Sequence, residues 1–578
     1  MRSLRPRIKN SARACKGALG FVVGALVLSP LMAQDSPSGL WGFPGPTDWP
    51  MFGQNAANTA SIAETAISVH TAPSLKTKWK YTTGGDVSAR AAVVNGVAYF
   101  PDWGGNITAL NANTGAKIWS YQISSYGLAA GTVSRTSPTV ANGIVYIGTQ
   151  YVAPNAKGVQ PPTGWLLAID AATGRLIWKM QPTTSNAFPV ITASPTVAFG
   201  IVYVGMTSNE EFAAAGPQEG GPPYVCCSVR SSVVAVDAFF GIKLWETFTV
   251  PAGYSGGAVW GSNLVVDLER LTVFVGTGNN YSVPTAPAYV ACIAGHGTRA
   301  ACESPDDHAD SILALDMFTG QIKWATRLQN WNQQTTEGVT NGSDFWNVDC
   351  IFAAYGEPTP NCPASAGPDY DFGSAPNEIT YSTGPWTTKT IIGAGQKSGI
   401  YYALDPDTGG LLWQTQVGPG SSLGGMEWGS ASDGTRIYVQ ITNDYGIPYT
   451  VFGLSASLGS AGSWAALDPA TGHVLWQKPD PNGGITLGPI AVANGVVYGS
   501  SMGTPGASPG LTSPNMFALD ASTGNQVWSF IPHVSVNAGA VIVDGVVYWG
   551  SGYVHLASFI GSGSTTTGTF YAFSIDGH

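Results

Sequence analysis

Acidic and amide side chains recur where apolar runs of this chain give way to loops, and their types suit an all-oxygen cation site. Glu210 and Glu211 come soon after the run from Ile201 to Gly205, and Thr277-Gly278-Asn279-Asn280 follows the run from Leu271 to Gly276. Asp344 and Asp349 lie in a long irregular stretch. Two or three carboxylates with an amide carbonyl make the donor set that a hard ion such as Ca²⁺ takes. Each of these residues alone also reads as a solvated loop residue, so only their convergence would make a site. Zinc has no comparable support, because no His/Cys cluster shows metal-ligand spacing, and His308 reads as a loop residue. The chain has no Gly-rich dinucleotide loop between strand and helix, no Walker loop and no Cys-x-x-Cys-His for covalent haem.

Residues so far apart need a scaffold that brings them to one place, and a repeat supplies it. Asp520-Ala521-Ser522-Thr523-Gly524-Asn525-Gln526-Val527-Trp528 is one of seven copies of an Asp or Asn, a turn ending in Gly, three further residues and a Trp. Earlier copies run Asn111 to Trp119, Asp170 to Trp178, Asp237 to Trp245, Asp316 to Trp324, Asp405 to Trp413 and Asp468 to Trp476. An apolar run precedes each, so the unit reads as strand, tight turn, strand. Hairpins such as Asn95-Gly96-Val97-Ala98-Tyr99 and Asn494-Gly495-Val496-Val497-Tyr498 fall between the turns. A unit of this kind must stack on its neighbours to bury its apolar face. The stretch from Leu75 to Tyr81 looks like a Trp strand without a turn, and Phe570 to His578 like a turn without a Trp strand. Their pairing predicts an all-β, eight-bladed propeller of four-stranded antiparallel blades, closed by its N- and C-terminal strands. Long insertions at 206–229, 281–309, 327–388 and 499–515 are expected to shape the binding site.

Composition narrows the partners. The 578 residues carry a formal net charge of −10 with only 25 Lys and Arg, and no basic stripe, which argues against nucleic acid. A basic start containing Arg2, Arg5 and Arg7, followed by the mostly apolar run Leu19 to Leu31, reads as an export signal over 1–33. Residues 34–578 are then expected to form a single domain. No later run is apolar for long enough to cross a bilayer. Cys15 would leave with the signal, and the other six cysteines fit disulfides in an exported chain. Sequence proximity suggests Cys292–Cys302 and Cys350–Cys362. Cys226 and Cys227 then remain for each other, the alternative being that they stay reduced or pair differently.

The repeats resemble the Ala-x-Asp-x-x-Thr-Gly-x-x-x-Trp unit of the pyrroloquinoline-quinone (PQQ)-dependent alcohol dehydrogenases, an eight-bladed propeller family. The likeness covers nearly all of the chain after the signal. Its flavour is that of the polyvinyl alcohol dehydrogenases, seen in Trp49-Pro50-Met51-Phe52-Gly53, Thr277-Gly278-Asn279, Asp344-Phe345-Trp346-Asn347, Asp369-Tyr370-Asp371-Phe372-Gly373 and Gly425-Met426-Glu427-Trp428-Gly429. The resemblance implies a calcium site of Glu210, with Glu211 competing for the place, Asn279 and Asp344, the last also the catalytic base. It implies that Lys397 meets the quinone oxygens, Arg135 a PQQ carboxylate, and that Thr192 belongs to the cofactor pocket. Trp260 resembles the Trp on which the quinone stacks. Cys226 and Cys227 would cover its other face, although here they follow Glu210 where relatives place them before it. Lanthanide-using relatives carry an extra Asp two positions after the base; here that place is Trp346, which favours calcium. The implied activity is periplasmic oxidation of an alcohol, bulky or polymeric, with electrons leaving to a separate acceptor such as a periplasmic cytochrome c, since the resemblance includes no haem domain. A non-catalytic scaffold is the alternative, because outer-membrane assembly factors share a similar repeat.

Overall fold

Each repeat turn is held by its own side chains. In the copy at 405, Asp405 Oδ1 accepts from the Thr408 amide at 2.9 Å and the Thr408 hydroxyl at 2.9 Å. The Gly that follows has a left-handed backbone, with φ of +70° at Gly409 and +73° at Gly472. The Trp of the preceding blade lies against that Gly. A Cβ on Gly472 would stand 2.4 Å from the Trp413 ring, and one on Gly174 would stand 2.7 Å from Trp119. The indole N–H then donates across the blade boundary, as from Trp413 to the Pro469 carbonyl and from Trp119 to the Ala171 carbonyl. Trp79, Trp178, Trp245, Trp324 and Trp476 make the same bond to the next blade.

In this computed structural model the described residues are 44–578, apart from 152–163, 184–187, 216–223, 262, 329–341, 354–358, 365, 451–457, 504–512, 514 and 554–567. The expected export signal, with Cys15, lies outside them. The fold is an eight-bladed propeller. Blade 1 runs Ala92–Val94, Val97–Pro101, Asn106–Asn111 and Lys117–Gln122, each strand antiparallel to the one before. Six more blades follow in sequence, the seventh ending at Gln526–Phe530. Blade 8 is Val541–Val543, Val546–Gly550 and Thr569–Ile575, completed by Leu75–Thr82 from the other end of the chain. Trp528 closes the ring by donating to the Leu75 carbonyl at 2.9 Å. First strands lie beside the first strands of neighbouring blades, so they surround the axis, while fourth strands such as Lys117–Gln122 are largely exposed. Among the described residues, no helix is long and apolar enough to cross a membrane.

The lead-in before blade 1 crosses the ring. The Val93 and Trp49 amides and carbonyls pair with each other, and Pro50, Ala56, Ala57, Thr59 and Ala60 offer carbonyls to Val140, Val266, Glu378, Ser432 and Val492 respectively, in first strands of five further blades. Trp49 and Phe52 are buried in it.

The Trp-on-Gly contact predicts a contrast between two glycines of similar backbone. Gly472→Ala meets the Trp413 ring, whereas Gly143, at φ +73°, has nothing within 4 Å of its missing Cβ. Gly472→Ala is expected to cost about 2–4 kcal/mol and Gly143→Ala about 1–2 kcal/mol. Urea unfolding of the two variants checks this, and equal midpoints would remove the docking account.

Candidate active site

The segments that lead into the first strands converge on the axis. They bring Arg135 from blade 2, Thr192 from blade 3, Trp260 from blade 4, Asp369 and Asp371 from the entry to blade 5, and Glu427 from the entry to blade 6. Lys397 follows the second strand of blade 5, Thr387–Gly395.

Asp371 ties the predicted residues together. Its Oδ1 accepts from the Asn279 amide at 2.7 Å and its Oδ2 from the Trp260 indole N–H at 2.7 Å. Thr277-Gly278-Asn279 needs its Gly because a Cβ there would stand 2.7 Å from the Asp371 carboxylate. Lys397 Nζ lies 3.0 Å from Asp369 Oδ2 and 3.6 Å from Asp371 Oδ2, and 5.0 Å from the centre of the Trp260 ring. Burial alone would draw a proton off this ammonium, but Asp369 and Asp371 hold its pKa well above the ordinary lysine range. Burial pushes the Asp369 carboxyl well up, against the pull of Lys397. The Asn279 side-chain amide donates to the Asn280 and Trp346 carbonyls, leaving its buried Oδ1 without a partner.

Asp344 stands one layer behind. Its Oδ2 accepts from the Tyr370 amide at 3.1 Å, so it braces the backbone that carries Asp369, and its buried Oδ1 is unpartnered. Burial raises its pKa to about 6. The segment is fixed to Asn279-Asn280, since the Asn280 amide donates to the Asp344 carbonyl and the Trp346 amide to the Asn280 carbonyl, both at 2.9 Å. Asp349 braces another loop, accepting from the Asn361 and Cys362 amides.

The neighbouring acids Glu210 and Glu211 divide. Glu210 accepts from the Tyr224 hydroxyl, the Ser228 amide at 2.7 Å and the Val229 amide at 2.7 Å, so protein donors engage both its oxygens. Burial raises the Glu211 carboxyl to about 8, Asp371 pushes it further up and Lys397 pulls it down, which places its field in the Lys397 group. The Cys226–Cys227, Cys292–Cys302 and Cys350–Cys362 disulfides are all formed. The first is held by the Cys226 amide donating to Asn361 Oδ1 at 3.0 Å, in the loop whose Ser228 and Val229 bind Glu210.

A small cavity lies on the axis, lined by Arg135 and Thr192. The Arg135 guanidinium is 4.9 Å from the Trp428 ring, and Trp428 meets Trp260 edge to face at 5.6 Å. Glu427 precedes Trp428 and is buried; burial raises it to about 8, while Lys397 and Arg135 pull it down. Asp369, Asp371 and Glu427 carried no role in the sequence reading, although each stands in a motif noted there. An acid placed just before the first strand of a blade is the signal that marks them. Among the described residues, no group of three or more His, Cys, Asp and Glu is set to hold a metal ion. A cation here would therefore depend on the Asn279 amide oxygen as well as on carboxylates.

A family model described as outer membrane protein assembly factor BamB (PQQ_2) matches residues 63–286 and 460–575. A polyvinylalcohol dehydrogenase of Sphingopyxis sp. (strain 113P3) is 29% identical over 89% of this chain and 74% of its own. One from Pseudomonas sp. is 29% identical over 88% of this chain and 73% of its own. Among solved structures, the quinohemoprotein alcohol dehydrogenase from Comamonas testosteroni superposes with a TM-score of 0.65 at 20% identity, over 92% of this chain and 81% of its own.

Lys397→Met would leave the buried Asp369 and Asp371 carboxylates without their cation. Loss of a buried ion-pair partner costs about 3–5 kcal/mol, and Asp369→Asn added to Lys397→Met is expected to recover most of it. Unfolding by urea, without added cofactor, measures both. If Lys397→Met unfolds at the wild-type midpoint, the ion-pair account fails.

Proposed function

Since this chain belongs to the PQQ_2 family, and its relatives are quinoprotein alcohol dehydrogenases, we propose that it is a periplasmic PQQ-dependent alcohol dehydrogenase that oxidises a secondary or polymeric alcohol to the ketone. The observation that carries this reading is the buried ammonium of Lys397 against Asp369 and Asp371, beside the Trp260 ring. Burying several charges at a channel centre costs a scaffold stability and returns it nothing. A redox site uses them.

Bound PQQ would supply a quinone able to take two electrons from the alcohol, and a bound Ca²⁺ would supply a Lewis acid. The chain offers groups that fit both. The unpartnered Oδ1 atoms of Asn279 and Asp369, with the Glu211 carboxylate, are the donors we assign to the cation. Glu211 takes the place expected of Glu210, whose oxygens already accept protein hydrogen bonds. Trp260 presents a ring held by its N–H bond to Asp371. Lys397 would stabilise negative charge on a quinone oxygen. Arg135 and Thr192 face the cavity where a carboxylate would sit.

We assign the base to Asp369. It shares Lys397 beside the Trp260 ring, whereas Asp344, whose Oδ1 is likewise unpartnered, engages the Tyr370 amide and positions the segment. Asp369 would accept the hydroxyl proton as the C–H hydrogen leaves with its electron pair. This assignment puts Asp371, not Trp346, two positions after the base. Both Asp371 oxygens are engaged, by Asn279 and Trp260, which keeps calcium the favoured ion over a lanthanide. Electrons would pass to a separate acceptor, a periplasmic cytochrome c. The assembly-factor description of the family model leaves a non-catalytic scaffold as the second reading.

Dye-linked oxidation of small and polymeric secondary alcohols by the purified protein tests the proposal. Turnover should need both PQQ and Ca²⁺, with La³⁺ a poor substitute. Asp369→Asn should lower kcat by about 10²- to 10⁴-fold, and Asp344→Asn by less. No PQQ binding and no turnover under any combination leaves the scaffold.

A further inference from the structure

Arg90 is a buried cation whose only described side-chain partners are uncharged. The residue is 1% exposed, and its guanidinium donates to the Phe52 carbonyl at 2.7 Å and the Ile490 carbonyl at 2.8 Å. It lies 4.8 Å from the Phe52 ring and 5.4 Å from that of Trp49. No carboxylate offsets it among the described residues, and burial alone draws its pKa down to about 9. An arginine with carbonyls and rings around it, and no acid, is in a costly position unless something else supplies negative charge.

Its place in the repeat is also exceptional. The corresponding residue before the first strand is Ser137 in blade 2, Ser194 in blade 3 and Gly539 in blade 8. Blade 1 alone of these puts a long cation there. The neighbour makes room: a Cβ on Gly539 would stand 2.4 Å from Arg90 Nε.

Arg90 lines the same axial cavity as Arg135. The lining contains two arginines and neither Asp nor Glu. Five of its buried polar atoms have no partner, namely Arg90 Nε, Arg135 Nε, Trp428 Nε1, Thr192 Oγ1 and Asn537 Oδ1. Three are N–H donors and the Thr hydroxyl can donate. A cavity whose unpartnered donors include two guanidinium groups, with no acid in its walls, is complementary to a carboxylate. Arg135 interacts electrostatically with Glu427, whereas Arg90 has no such carboxylate among the described residues.

We infer that Arg90 and Arg135 together clamp a carboxylate of the bound cofactor at the end of the cavity against the 49–60 lead-in. The inference rests on the proposed function and adds to it a second cation. Arg90 is thereby a ligand-binding residue as well as a brace for Phe52 and Ile490.

The test is titration of cofactor-free protein with PQQ, followed by quenching of tryptophan emission, together with the melting temperature of each unliganded variant. Arg90→Gln is expected to weaken PQQ binding at least tenfold, and Arg90→Lys, which keeps the charge but loses the fork, several-fold. The trimethyl ester of PQQ should bind wild type weakly, with no further loss in Arg90→Gln. Inorganic phosphate at matched ionic strength should not compete. If Arg90 only braces the lead-in, both variants melt lower while the PQQ dissociation constant stays at the wild-type value, and the inference is overturned. Competition by phosphate as strong as that by PQQ would also overturn it, making the cavity a general anion pocket. Should Arg90→Gln fail to fold, Arg90→Lys and the ester decide the matter. Failure of wild type to bind PQQ at all would instead remove the functional reading on which the clamp rests.

Discussion

The molecule depends on one contact repeated around a ring, a tryptophan of one blade laid against the turn glycine of the next. The glycine is needed twice over, for its left-handed backbone and for the missing Cβ that would strike the indole. The indole N–H then finds a carbonyl in the neighbouring blade, so the contact is directional as well as apolar. Because each blade is oriented by the one before, errors cannot accumulate without opening the last junction. Trp528 bonding Leu75 gives that junction the same indole hydrogen bond as the others, though no described turn glycine lies against its ring and the two strands come from opposite ends of the chain.

A ring fixed in this way brings the ends of eight first strands to one axis, and that is why isolated sequence features become a site. Asn279 follows blade 4's second strand, Lys397 stands between strands of blade 5, and Arg135 leads into blade 2. They share an environment because the blades do. The charges there separate along the cavity. Lys397 is surrounded by Asp369 and Asp371, with Glu211 and Glu427 in its field, so carboxylates outnumber cations at that end. Around Arg90 and Arg135 the lining is free of acids. A ligand set that brings a cation to one end and a carboxylate to the other would reduce the desolvation cost of both groups.

The sequence made the blades legible and the site partly so, for the same physical reason. The blade signal is periodic, since each copy must repeat the same turn and the same docking, and seven copies with two complementary half-units left room for one closure. Asn279, Trp260 and Lys397 were legible because short motifs tie them to strand ends, and the structure does bring them around Asp371. The choice between Glu210 and Glu211 was not legible, because two adjacent acids differ only in which way a single helical turn points them. Asp369 was obscured by the long insertion before it, where no periodicity reports which acid comes back to the axis. Arg90 was obscured by the opposite circumstance, a regular hairpin in which a single atypical residue does not disturb the pattern.

The lead-in adds a constraint that the blades alone do not provide. A propeller ring leaves its axis open, and water in that channel would screen the charges and weaken every electrostatic interaction within it. Residues 49–60 hydrogen-bond to first strands of six blades, and Trp49 and Phe52 lie buried across the ring. Arg90 donates to Phe52 in this lead-in and to Ile490 at the entry to blade 7, so the same side chain connects the barrier to the ring. The lead-in therefore belongs to the site's electrostatics as much as to the fold, and a change at Phe52 would act on Arg90 before it acted on any blade.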